Sequence, residues 1–324
     1  MKWINDVVFA ILAAHVWGSL MLFVWLQAVK RLENKGYTRL LFYLLRAVIV
    51  AYLLPLGLGA VLIINEIIEV DARLFQTTPV ITMICQLLFM LWILGFFANF
   101  ESLQEKWDMT RHCFSDALPA SRERQLRFQE ICRQTKMRSG RVMLCEKAGI
   151  RCGGITVGVI HPKIVLPEGK TDEFVERVTM IHELVHYTRK DIWFLTAAKV
   201  VEAIHWFNPW TRGLAAQMSQ WNEYACDWKV CNKYLGNMKA YLEVLYSVSM
   251  QGQEDKTDMY SSIGTQPMKL IGRMEKMINM KNAMKKPKIF GVLAAVAVSF
   301  TSAGSALAST GILAGGYRAL YELT

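Results

Sequence analysis

Apolar residues gather into four runs, at 4–28, 40–64, 79–100 and 289–311, each nearly free of charge. A helix of ~20 apolar residues crosses ~30 Å of hydrocarbon, so the pattern predicts four membrane spans. The exceptions are Asp6 near one end of the first run and Arg46 in the second, where it faces other helices. The fourth run is richer in Ala, Ser and Gly. Residues 101–288 follow a different pattern. A helical spacing covers Arg122–Ile131. Three short β-prone runs follow, Val142–Cys145, Ile155–Ile160 and Lys163–Leu166, punctuated by Gly149, Gly153-Gly154 and His161-Pro162. They predict a small antiparallel sheet closed by Pro167 and Gly169. A helix then starts at Thr171-Asp172, with Val175, Val178, Ile181 and Val185 as its apolar stripe. Asp191 caps a greasy second helix through His205, which lies against the membrane interface. Asn208-Pro209 opens a third helix to about Lys233, and a fourth covers about Met238–Met250. A polar loop, 251–268, leads to a basic helix, Lys269–Lys285. The fold class expected is mainly α: a multi-span membrane protein with a cytoplasmic α+β domain.

Charge orients this picture. The connection from Gln27 to Arg39 sets Lys30, Arg31, Lys35 and Arg39 against Glu33 alone. The one from Asn65 to Thr78 sets Glu66, Glu69 and Asp71 against Arg73. Residues 101–288 hold 29 Lys/Arg and 21 Asp/Glu. Basic loops stay in the cytoplasm. The first connection and the long segment are therefore inside, and both termini outside. The expected division is 1–100 for three spans, 101–288 for the cytoplasmic domain, 289–312 for the last span and 313–324 for a short extracellular tail. Lys281, Lys285, Lys286 and Lys288 fit a lipid-facing edge, so the expected partner there is the bilayer and not a nucleic acid. At 53% hydrophobic and 20% charged, the 324 residues exclude disorder, collagen and a disulfide-rich secreted scaffold. Six of the seven cysteines fall in the cytoplasmic part, and none pairs at CxxC spacing.

The chemistry centres on His182-Glu183-Leu184-Val185-His186. Residues four apart share one helix face, so both imidazoles can hold one zinc at ~2.0–2.1 Å per nitrogen. Glu183, beside the first ligand, can reach a water on that metal and act as general base. A catalytic zinc needs a third protein ligand, and Glu223 offers one from a separate helix. Asp227, one turn further on, can accept the free ring N–H of a ligand histidine. His205 is either a transition-state stabiliser or a packed, hydrogen-bonded core residue. The strand Gly154–Ile160 is either a covered hairpin or an open edge that receives an extended peptide.

The order HExxH, helical excursion, ExxxD resembles the gluzincin metallopeptidases. His182 to Asp191, then His205-Trp206-Phe207-Asn208-Pro209-Trp210, then Glu223-Tyr224-Ala225-Cys226-Asp227 resemble the BlaR/MecR-type membrane metallopeptidases. The resemblance covers nearly the whole chain. It implies N-terminal spans, a cytoplasmic zinc-peptidase loop and a last span leading outward. It also implies cleavage of a cytoplasmic protein, a winged-helix repressor. β-Lactam-sensing members carry a penicillin-binding domain after the last span, whereas here about a dozen residues follow, so β-lactam sensing is not expected. Two other readings stay open: an HtpX-type or CAAX-processing protease, and a signalling scaffold without turnover, against which an intact Glu183 argues.

Overall fold

The computed structural model describes residues 2–54, 79–150, 153–251 and 267–283. The run at 289–311 and the 313–324 tail lie outside the described residues.

The apolar runs become long helices. α1 spans Lys2–Leu32, α2 Thr38–Leu53 and α3 Pro79–Cys113. Ala10–Leu32 and Thr82–Cys113 are long and apolar enough to cross a membrane. The second expected span is described only through Leu54. α3 exposes Met83, Leu87, Met90, Leu91, Leu94 and Phe97, as a lipid-facing helix would. α1 and α2 pair closely, because Gly18 leaves room for Tyr52: a Cβ there would fall 2.3 Å from the Tyr52 ring.

The polar segment builds a four-stranded sheet under helices. β1 (Leu118–Pro119) precedes α4 (Arg122–Thr135), and β2 (Met143–Lys147), β3 (Ile155–Val157) and β4 (Lys163–Pro167) follow. The order is β1-β2-β4-β3. The sheet is mixed, which corrects the antiparallel expectation. β2 and β4 run parallel, Cys145 opposite Val165, while β1–β2 and β3–β4 are antiparallel. The reason lies in the turn Gly158–Pro162. It folds β4 back along β3, with Gly158 at φ +86, and inserts it between β3 and β2. Ile164, Val165 and Leu166 are all buried, as befits a central strand covered on both faces.

α5 (Glu173–Thr188) packs against β3 and β4 of this sheet. Asp172 caps it, its carboxylate accepting from the N–H of Phe174 and Val175. Arg124 pins its first turn by donating to Glu176 and to the carbonyls of Pro167 and Gly169. α6 (Asp191–Ile204) and α7 (Leu214–Lys229) follow, then a π-helical turn Val230–Leu235, α8 (Met238–Gln251) and α9 (Pro267–Ala283). α7 starts later than Pro209, because residues 205–213 form a turned segment that ends in left-handed Gly213.

Two apolar cores meet along α7. One joins α1, α2, α6 and α7 through Trp25, Leu45, Tyr52, Val201, Met218 and Trp221. The other joins α4, the sheet, α5, α8 and α9 through Ile131, Ile164, Ile181, Leu184, Tyr241 and Met277. α7 gives Trp221 and Tyr224 to the first and Cys226 to the second. Its Glu223 is thereby fixed at the seam between the N-terminal helices and the α+β unit.

Candidate metal centre

α5 presents His182 and His186 on one face, as the spacing of four requires. Their Nε2 atoms stand 3.0 Å apart. The carboxylate of Glu223 on α7 spans the two rings, its Oε2 3.6 Å from His182 Nε2 and its Oε1 3.4 Å from His186 Nε2. A tetrahedral metal with ~2.0–2.1 Å bonds places neighbouring donors about 3.3 Å apart, and the two nitrogens and the carboxylate oxygens facing them are separated by distances of that size.

The hydrogen bonds behind the rings explain why a cation belongs there. Tyr241 on α8 donates its hydroxyl to Asp227 Oδ1 at 2.7 Å. Its oxygen is thus free to accept from His182 Nδ1, 2.9 Å away. Asp191 Oδ2 accepts from His186 Nδ1 at 2.7 Å. Both Nδ1 atoms therefore carry a ring hydrogen, so in their neutral form both rings turn Nε2 lone pairs toward each other and toward a carboxylate. Three electron-rich groups within 3.6 Å need a proton or a metal cation among them.

The electrostatics agree. Burial opposes charge on the imidazoles, but the Cys226 thiolate, itself favoured by the two rings, and the Glu223 carboxylate outweigh it. His182 is raised to about 10, and His186, which also faces Asp191, stands well above the ordinary histidine value. Burial would raise the carboxyl of Glu223, yet Arg273 and the two imidazoles hold it well below the usual range.

Each residue singled out from the sequence has a definite place. Glu183 is buried and its Oε2 accepts from the Thr156 hydroxyl of β3 at 2.7 Å. Asp227 is fully buried. It reaches His182 through Tyr241, with a direct separation of 3.8 Å, and its remaining capacity is taken by Arg273 of α9, at 2.8 and 2.6 Å. His205 is 1% exposed. Its Nε2 donates to the Tyr52 carbonyl at 3.1 Å, and its ring lies against Tyr52 and His15. Burial pushes its pKa down to about 4. It is a neutral packing residue against α1 and α2, while the metal-facing histidines point into the α5–α7 seam. Asp191 does not cap α6 with its side chain, because that carboxylate is spent on His186, Arg46 and Arg189.

Three functional side chains escaped the sequence reading: Tyr241, Arg273 and Thr156. Arg273 also reaches Glu223, at 3.1 Å. No spacing rule ties residues from α8, α9 and β3 to an HExxH helix. Only their meeting in space does.

Two other donor groupings, His182–His186–Cys226 and His182–Glu223–Asp227, also lie close enough for one ion. Cys226 Sγ packs 3.5 Å from His182 Nδ1 and from the His182 carbonyl, and Asp227 is occupied by Arg273 and Tyr241. Glu223 is the group that meets Nε2 of both rings.

Residues 60–278 match the BlaR1 peptidase M56 family. The chain belongs to that family. It is also 37% identical over 83 residues to the regulatory protein BlaR1 of Bacillus licheniformis, a stretch of 24% of this chain and 13% of that protein. This M56 chain is therefore of a metallopeptidase type associated with membranes, and the HtpX-type and CAAX-processing readings give way to it.

Proposed function

We propose that the chain is a membrane-anchored zinc metallopeptidase that hydrolyses a peptide bond in a cytoplasmic protein, and that this protein is a winged-helix repressor whose cleavage relays a signal. The observation that carries the catalytic reading is the convergence of His182 Nε2, His186 Nε2 and the Glu223 carboxylate, with both Nδ1–H groups already donated elsewhere. Zinc suits two imidazoles and one carboxylate, and when bound it would supply Lewis acidity.

The chain's own residues do the rest. Tyr241 and Asp191 fix the tautomers of the two ligands. Arg273 steadies Glu223 and Asp227. Glu183, next in sequence to His182, takes a proton from the attacking water at its carboxylate and returns it to the leaving amine. Thr156 holds that carboxylate in place. β3 is an edge strand of the sheet and lies beside α5, so its edge, unpaired among the described residues, would offer an extended substrate main-chain hydrogen bonds. Four spans with both termini outside put this apparatus in the cytoplasm.

The test is co-expression with a candidate winged-helix repressor from the same genome. The full-length repressor disappears with the wild type and persists with Glu183→Ala, which keeps its zinc. Repressor loss with Glu183→Ala would refute the catalytic reading, and an unchanged signalling response would favour a scaffold.

A further inference from the structure

A cleft of about 680 Å³ opens beside His186. Six cations line it: Lys136, Arg138, Arg141, Lys190, Lys229 and Lys233. No Asp or Glu does, and among the described residues none of the six is ion-paired. They come from separate places: the segment between α4 and β2, the junction of α5 and α6, the end of α7, and the π-helical turn. The fold thus gathers them from distant parts of the chain. Apolar side chains stand among them. Ile160 is 76% exposed and Trp193 55% exposed.

The backbone sets two of these lysines on the cleft. Lys136, at the end of α4, and Lys190, between α5 and α6, are left-handed with φ of +55 and +59, the conformation in which helices commonly end.

We propose that the cleft selects polypeptide segments bearing Asp or Glu close to the bond to be cleaved, with an apolar side chain set against Ile160 and Trp193. The inference rests on the peptidase reading above and names its substrate class. An acidic strand threaded past His186 meets the six cations that line the cleft. A flat lipid surface meets only its rim.

The full-length Glu183→Gln protein, zinc-loaded in neutral detergent, provides the test by fluorescence anisotropy. The probes are a short labelled peptide alternating Glu and Leu, and its Lys and Leu counterpart. The acidic peptide binds at least about tenfold tighter, and its advantage shrinks between about 0.05 and about 0.5 M salt as exposed charges are screened. Lys136→Glu/Arg138→Glu/Arg141→Glu, checked for wild-type zinc content and circular dichroism, abolishes the preference, and the single Lys233→Glu variant weakens it. Equal binding of the two peptides, or a preference untouched by charge reversal, overturns the proposal. So does displacement of the acidic peptide by glycerol 3-phosphate as effective as that by polyglutamate, which would mark a lipid-headgroup site. If the acidic peptide binds as expected but the zinc-loaded wild type cleaves no peptide of an acidic panel, the peptidase reading fails and the cleft assignment stands.

Discussion

Arg46 of α2 is ion-paired with Asp191, and Asp191 in turn accepts the Nδ1–H of His186. A charged residue in an apolar helix is thereby joined to a proposed metal ligand through one carboxylate. The Arg46 guanidinium lies between the rings of Phe42 and Phe194, 4.2 and 4.1 Å from their centres, and donates to the Arg189 carbonyl at 3.0 Å. Movement of α2 would pull on the orientation of His186. Arg46→Met, which keeps the bulk and removes the charge, should lower zinc affinity by about tenfold to a hundredfold, measured by titration against a competing chelator. Arg46→Lys should recover only part of it, since an ammonium lacks the planar fork. Unchanged affinity in Arg46→Met would show that the pairing leaves the metal centre indifferent to α2.

Tyr241→Phe removes the hydroxyl that joins His182 to Asp227. Asp227 keeps Arg273, so the fold survives, but His182 Nδ1–H loses its acceptor. A stability loss of about 1–3 kcal/mol and about a tenfold fall in zinc affinity are expected from denaturant unfolding and metal titration. A variant as tight as wild type would mean that the tautomer is fixed in another way.

Thr156→Val should act on turnover and leave the metal alone. The hydroxyl that holds Glu183 Oε2 is lost, while His182, His186 and Glu223 keep their contacts. Cleavage should slow by about tenfold or more, in the range typical of a mispositioned general base, with zinc content unchanged. Zinc loss would instead place Thr156 in the support of the ligands.

The pH dependence has a definite sign. In the metal-free protein the proton on His182, with a folded pKa of about 10, adds stability that is fully present below the unfolded value of about 6.5. That stability is lost as pH rises through about 10. Glu223, depressed in the fold, adds stability above its unfolded value near 4.3, lost as pH falls through its lower folded value. Zinc must displace the imidazole protons. Apparent zinc affinity should therefore keep rising between about pH 7 and 9, by about tenfold per unit for each proton released. Calorimetry in buffers of different ionisation enthalpy should register the released protons. An affinity that levels off near pH 7 would contradict the raised values.

The seam between helices gives a mechanical prediction. Trp206 donates to the Trp92 carbonyl at 3.3 Å, and Trp92 to the Ile204 carbonyl at 2.8 Å. A Cβ on Gly95 would fall 2.1 Å from the Trp206 indole. Gly95→Leu should push α3 away from the end of α6, lowering stability by about 1–3 kcal/mol. Thermal unfolding in one detergent checks it, and a wild-type midpoint would mean that α3 is not docked there.

Helix α5 and the facing of its two histidines were readable because period, cap and motif coincide in one continuous stretch: Asp172, the stripe through Val185, and two histidines four apart. Glu223 was readable because its helix and its spacing from Asp227 are local facts. The direction of β4 was not, since three short apolar runs carry no sign of which neighbour each will pair with. Asp191 misled for a related reason. An acid at the start of a helix reads as a cap, whereas here burial beside His186 and Arg46 sets a stronger claim on the carboxylate. Tyr241 and Arg273 look like ordinary helix residues until α8 and α9 fold over Asp227.

The central claim is that His182, His186 and Glu223 hold one metal ion. Metal analysis of the purified full chain, wild type beside His186→Ala and Glu223→Ala, tests it most directly. The expected result is about one zinc per chain in the wild type, with near-complete loss in His186→Ala and a marked loss in Glu223→Ala. Equal zinc in all three folded proteins, or none in the wild type after exposure to excess zinc, would contradict it.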